Sequence, residues 1–143
     1  MEIHLSTRVD KVVNSGDGAT VKVTNLKDSK EKSYDGDVVL VATGRRPYID
    51  NLGIEKLNIE MQKRGTIKVD ENYRTNYKNI YSIGDVIDGP MLAHKAEEEG
   101  VAVAEIIKNG YGHVNYNAIP SVIYTFPEFA AVGKTEEEVK ELG

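Results

Sequence analysis

Residues 36–44 read GDVVLVATG. The unbroken apolar run from Val38 to Ala42 has the pattern of a strand covered on both faces of a sheet, and Gly44 stops it. A second run, NIYSIGD at 79–85, has the same form and ends in Gly84-Asp85. Two such strands predict an α/β fold with parallel pairing, in which ligands gather at the carboxyl ends of the strands. Both ends carry a glycine, so Gly44 and Gly84-Asp85 are the first places to look for a site. The parallel neighbours of Val38–Ala42 and Ile80–Ile83 must be distant in sequence, because parallel strands are never joined by a tight turn.

Before the first run the chain reads as strands. Ile3, Leu5, Val9, Val12 and Val13 stand near alternating polar residues, NSGDG at 14–18 is a turn cluster, and Val21 to Thr24 alternates well. KDSKEKS at 27–33 reads as a charged loop. The polar stretch RRPYIDNLG after Gly44 reads as a domain crossing, and Arg64-Gly65-Thr66 as a turn into a short strand, Ile67–Val69. The clearest helix follows Pro90. Leu92, Ala96, Gly100, Val103 and Ile107 predict its apolar face, Glu97, Glu98, Glu105 and Lys108 its wet one, and Asn109-Gly110 its stop. The Glu97-Glu98-Glu99 run is assigned to solvent. SVIYT at 121–125 reads as a strand, and Thr135 and Glu138 have capping-box spacing ahead of a last helix ending at Gly143. A last helix with nothing after it reads as a chain cut short.

With a formal net charge of -5 and no long basic block, the chain is a poor partner for nucleic acid or anionic membranes. Its apolar runs are too short to span a bilayer, and the opening MEIHLSTRVD has no signal-peptide pattern. Without any cysteine these residues hold no thiol nucleophile or disulfide, and the scattered His4, His94 and His113 argue against a metal site. Neither a nucleophile–base pair nor a G-x-G-x-x-G phosphate loop occurs. The tyrosines at 48, 73, 77 and 81 read as packing residues, since no basic groove accompanies them.

The helix start is the unusual feature. Most helices open with Ser, Thr, Asp or acids in the first turn. Here Pro90, Met91, Leu92, Ala93 and His94 open it, leaving backbone N–H groups for an external negative charge. Asp85 either accepts hydrogen bonds from ligand hydroxyls or orders its own turn. His94 is either a ligand contact or an ordinary packed histidine, and Gly44 either admits a cofactor or only ends a strand.

VLVATGRRP, then TNYKNIYSIGD from Thr75 to Asp85, GPMLAHKAEEEG and IPSVIYTFPE together resemble the dihydrolipoyl dehydrogenases of the pyridine nucleotide-disulfide oxidoreductase family. GPMLAHKAE is the narrowest of these motifs, and the resemblance runs over essentially the whole chain. It implies part of a two-dinucleotide-binding-domain flavoprotein fold: residues 1–45 the end of an NAD-binding domain, 46–118 a central FAD-contacting domain, and 119–143 the start of a dimer-interface domain. It also implies that Asp85 binds the ribitol chain of FAD, that Met91, Leu92, Ala93 and His94 lie against the flavin, and that Gly44 lines the NAD site. The implied parent is a homodimer that oxidises dihydrolipoamide on lipoyl domains of 2-oxo-acid dehydrogenase complexes, in the mitochondrial matrix or a bacterial cytoplasm.

No residue here is assigned to catalysis. The family's redox cysteines and its catalytic His-Glu pair match nothing in the 143 residues, so these residues alone are expected to be inactive and to be a fragment. Phe126 and Ala131 stand where the family pattern suggests histidine and tryptophan. Two other readings stay open: a different FAD-dependent disulfide oxidoreductase, and a non-catalytic binding or interaction module.

Overall fold

The computed structural model describes residues 1–143, which divide into two compact units, Met1–Gly44 and Arg45–Gly143. The first unit is an antiparallel meander of β1 (Thr7–Asn14), β2 (Ala19–Asn25) and β3 (Glu31–Gly36), in that spatial order. The predicted NSGDG turn is present. The Ser15 N–H and hydroxyl both donate to the Gly18 carbonyl, and Gly16 N–H donates to Asn14 Oδ1. The register slips between Val9 and Lys11, leaving Asp10 as the extra residue of a bulge. Its carboxylate accepts from Arg8 Nε at 2.6 Å and Thr24 Oγ1 at 2.5 Å.

Two expectations for this unit are corrected. The charged segment 27–33 is a loop only as far as Lys30; Glu31–Ser33 begin β3, because pairing with β2 outweighs the low strand propensity of Glu and Lys. Residues 1–6, including Ile3 and Leu5, lie outside any strand.

The larger correction concerns the two apolar runs. Val38–Ala42 forms no strand, and Val38, Leu40 and Val41 are 86%, 87% and 70% exposed. Of the run 80–83, Tyr81 alone pairs, in an isolated antiparallel bridge with Arg74. A parallel strand draws its hydrogen bonds and its cover from neighbours far away in sequence, and these residues supply none. Ile67–Val69 is likewise reduced to a bridge between Ile67 and Met61 across the Arg64-Gly65-Thr66 turn.

The second unit is built around α1 (Ala93–Asn109), with a short hairpin of β4 (Ser121–Ile123) and β5 (Phe129–Ala131) and a closing helix α2 (Glu136–Leu142). Its core is Ile59, Ile67, Tyr73, Ile87, Ala102, Ile106 and Val114. Gly110 ends α1 in the left-handed conformation, its N–H bonded to the Ile106 carbonyl. Two residues on, Gly112 lies so close to α1 that a Cβ there would sit 2.2 Å from the Ala102 carbonyl oxygen. The capping box of α2 is present in both directions, Glu138 N–H to Thr135 Oγ1 and Thr135 N–H to Glu138 Oε2.

The buried face of α1 differs from the expected one. Lys95, Glu99, Ala102 and Ile106 are buried; Leu92, Ala96, Gly100 and Val103 are half-buried, and Ile107 is 64% exposed. Residues 95, 99, 102 and 106 keep helical spacing, so the stripe is rotated rather than absent. Apolarity alone misplaces it, because two of its members are charged.

Candidate functional site

Gly84 opens a single 3₁₀ turn, Gly84–Val86, at φ +74°, a conformation that disfavours other residues. An added Cβ would also meet the Ala96 Cβ at 3.2 Å. The turn closes by Ile87 N–H donating to the Gly84 carbonyl at 3.3 Å. Gly84 is buried and Asp85 beside it is exposed.

What fastens this turn to α1 is an ion pair that is fully buried. Lys95 and Glu99 are 1% and 0% exposed, with Nζ 3.0 Å from Oε1 and 3.2 Å from Oε2. Each also reaches the backbone of Gly84. Lys95 Nζ donates to the Gly84 carbonyl at 3.1 Å, and Gly84 N–H donates to Glu99 Oε2 at 2.7 Å. Tyr116 hydroxyl donates to Glu99 Oε1 at 2.8 Å and lies 2.9 Å from the Tyr73 hydroxyl. No buried side-chain polar atom is left without a partner, the condition under which a buried ion pair is tolerable. Burial pushes both tyrosine hydroxyls above their ordinary range, Tyr116 the further, with Tyr73 and the Glu99 carboxylate as its hydrogen-bond partners adding to the effect. Glu99 is thus no part of a wet face. Sequence reading missed it because the acidic run masks one buried member; the i,i+4 spacing of Lys95 and Glu99 was the available signal.

The helix start matches its expectation. Leu92 is the N-cap, no side chain caps the end, and no acid lies in the first turn. Of the five residues expected to open the helix, Pro90 and Met91 precede it and Leu92 caps it, so it begins at Ala93. His94 Nε2 lies 2.6 Å from the Pro120 carbonyl; a carbonyl only accepts, so Nε2 carries the proton and ties the first turn to the segment before β4. Met91 and Leu92 are half-buried and Ala93 is exposed. Through Lys95 and Glu99 the structure brings the Asp85 turn against the start of α1. Gly44, at φ +101° with open space where a Cβ would go, belongs to the first unit. A separate concavity of about 650 Å³, lined by Ile49, Asn51, Ile54, Ile59 and Met61 among others, shares no residue with this site.

A buried turn glycine, an exposed carboxylate and an uncapped helix end fit a ligand carrying both hydroxyls and negative charge, the chemistry of a nucleotide cofactor. Residues 1–100 match the family described as pyridine nucleotide-disulphide oxidoreductase, and the chain belongs to that family. Within it the chain is similar to particular enzymes. It is 54% identical over 136 residues to dihydrolipoamide dehydrogenase of Chaetomium thermophilum, covering 93% of this chain and 27% of that protein. It is 48% identical to mitochondrial dihydrolipoyl dehydrogenase 2 of Arabidopsis thaliana over 143 residues, the whole chain and 28% of that protein. The chain therefore spans little more than a quarter of the length of these relatives. Among solved structures, LpdA of Mycobacterium tuberculosis matches at 26% identity and a TM-score of 0.79, over 94% of this chain and 28% of that one. The HOCl-induced flavoprotein disulfide reductase RclA of Escherichia coli matches at 24% identity and a TM-score of 0.78, covering 94% of this chain and 30% of that one, a likeness of fold.

Proposed function

We propose that this chain is the part of a dihydrolipoyl dehydrogenase that contacts FAD and contributes to the NAD site. The observation that carries the reading is identity of about half to dihydrolipoyl dehydrogenases of a fungus and a plant, running over nearly the whole chain. In this reading Met1 to about residue 45 end the NAD-binding domain, with Gly44 at its nucleotide. Residues 46–118 form the central domain and 119–143 begin the dimer interface. The parent oxidises dihydrolipoamide carried by lipoyl domains of 2-oxo-acid dehydrogenase complexes, in the mitochondrial matrix, as a homodimer.

FAD bound here would supply the redox chemistry that links the dithiol substrate to NAD. The chain's own residues bind and orient it. Asp85 accepts hydrogen bonds from ribitol hydroxyls. Met91, Leu92, Ala93 and His94 would hold the flavin, and the uncapped N–H groups of the first turn would stabilise negative charge on it. A helix end is worth about 0.3–1 kcal/mol to such a charge when exposed and up to ~2 when partly buried. Without cysteine, these residues leave the substrate disulfide chemistry to other parts of the parent.

The test is FAD titration of the 143 residues beside a chain of the relatives' length. If the complete site binds at about nanomolar affinity, near -12 kcal/mol, half the contacts leave about -6, or tens of micromolar at best. The expected result is stoichiometric flavin and dihydrolipoamide-dependent NAD reduction in the long chain, with negligible binding by the short one. Tight, saturable FAD binding by the 143 residues alone would instead favour an autonomous binding module.

A further inference from the structure

Gly84 is the least restrained kind of residue at the point where restraint matters most, directly before the Asp85 carboxylate. Its two flanking peptide units are held from opposite sides by one ion pair. Glu99 takes the N–H, which limits rotation on the φ side, and Lys95 takes the carbonyl, which limits it on the ψ side. Both side chains come from α1, the helix whose N-terminus faces the same ligand in the reading above. Tyr116, backed by Tyr73, holds the second oxygen of the Glu99 carboxylate.

An ion pair at 1% and 0% exposure is a costly way to fill space, and apolar residues of similar volume fill it as well or better. What they cannot do is bond both peptide groups of one glycine. We propose that Lys95 and Glu99 are positioning residues that clamp Gly84 and so set the Asp85 carboxylate and the start of α1 in one fixed arrangement for FAD. The proposal rests on the FAD reading of Asp85. Neither residue touches the cofactor in it; both act through the turn.

The experiment uses the complete flavoprotein in the variants Lys95→Met/Glu99→Leu, Lys95→Met/Glu99→Gln and Asp85→Asn, and the first pair combined with Asp85→Asn. The Met/Leu pair removes both arms of the clamp while keeping volume and leaving no lone buried charge. Two readouts are taken well below the unfolding temperature: the FAD dissociation constant, and residue-resolved amide exchange of the apoprotein at 84–87 and at 102–106. The expected result for Met/Leu is FAD binding weakened about tenfold, the loss of roughly one charge-assisted hydrogen bond. Exchange speeds at the turn with that of the helix unchanged. Met/Gln, whose amide oxygen again accepts the Gly84 N–H, recovers part of both effects. Asp85→Asn costs less in the Met/Leu background than alone.

Unchanged FAD affinity in Met/Leu, with Asp85→Asn still harmful, overturns the clamp and leaves the FAD reading standing. Faster exchange of turn and helix together also overturns it, since that is the mark of a residue that only supports packing. If Asp85→Asn alone leaves FAD affinity untouched, the FAD reading of Asp85 fails and the inference falls with it.

Discussion

The two units hold their shape in opposite ways. In Met1–Gly44, strands that are neighbours in sequence pair with one another, and polar turn side chains finish the work at the surface. In Arg45–Gly143, regular structure is sparse, and the key turn is fixed from α1 by buried charges that reach back 11 and 15 residues. The first arrangement can lose any one surface contact cheaply. The second cannot lose half of its ion pair, because the remaining half becomes a lone charge in an apolar place.

The sharpest way to break this contrast is Glu99→Leu alone, which strands Lys95. A loss of about 3–5 kcal/mol is expected in urea unfolding, with most of it restored in Lys95→Met/Glu99→Leu. Equal losses in the single and paired variants would mean that the charges matter only for their volume. Gly112→Ala comes next. Its Cβ would meet backbone rather than a movable side chain, so a cost of about 1–3 kcal/mol is expected, a typical overpacking penalty, read as a lower midpoint in the same assay.

The smallest effects come from pH and run in opposite directions in the two units. Tyr73 and Tyr116 titrate above their ordinary value of 10.0, chiefly through burial. Their contribution is therefore complete below about pH 10 and is lost as pH rises through the raised values. Asp10 titrates below its ordinary 3.8, because Thr24 and then Arg8 donate to its carboxylate. Its contribution is present above that value and lost as pH falls through the lowered one. Residue-resolved NMR across pH should show Arg45–Gly143 loosening first in alkali and the β1–β2 bulge loosening in acid, the latter no longer in Asp10→Asn. Simultaneous loosening of both units at either extreme would remove the distinction.

Local signals read well from sequence. The NSGDG turn, the Gly110 stop, the Thr135–Glu138 capping box and the bare start of α1 were all legible, since each depends on residues within a few positions. Where the chain's state depends on distant partners, the reading failed in a consistent direction. Val38–Ala42 has the composition of a central strand and remains exposed, because composition states what a strand needs without supplying its neighbours. Charge misleads in the other direction: Glu99 stands in a run with Glu97 and Glu98, yet of these three glutamates it is the one that accepts from the Gly84 N–H.

The amino-acid sequence by itself determined the turns and caps, the Gly110 stop of α1 and membership of the pyridine nucleotide-disulphide oxidoreductase family. These follow from short-range geometry and from residue identity. Tertiary structure alone decided which face of α1 is buried, and that a lysine and a glutamate four residues apart lie inside it. A buried charge is tolerable only when its partners converge from separate parts of the chain, and that convergence is a property of the fold.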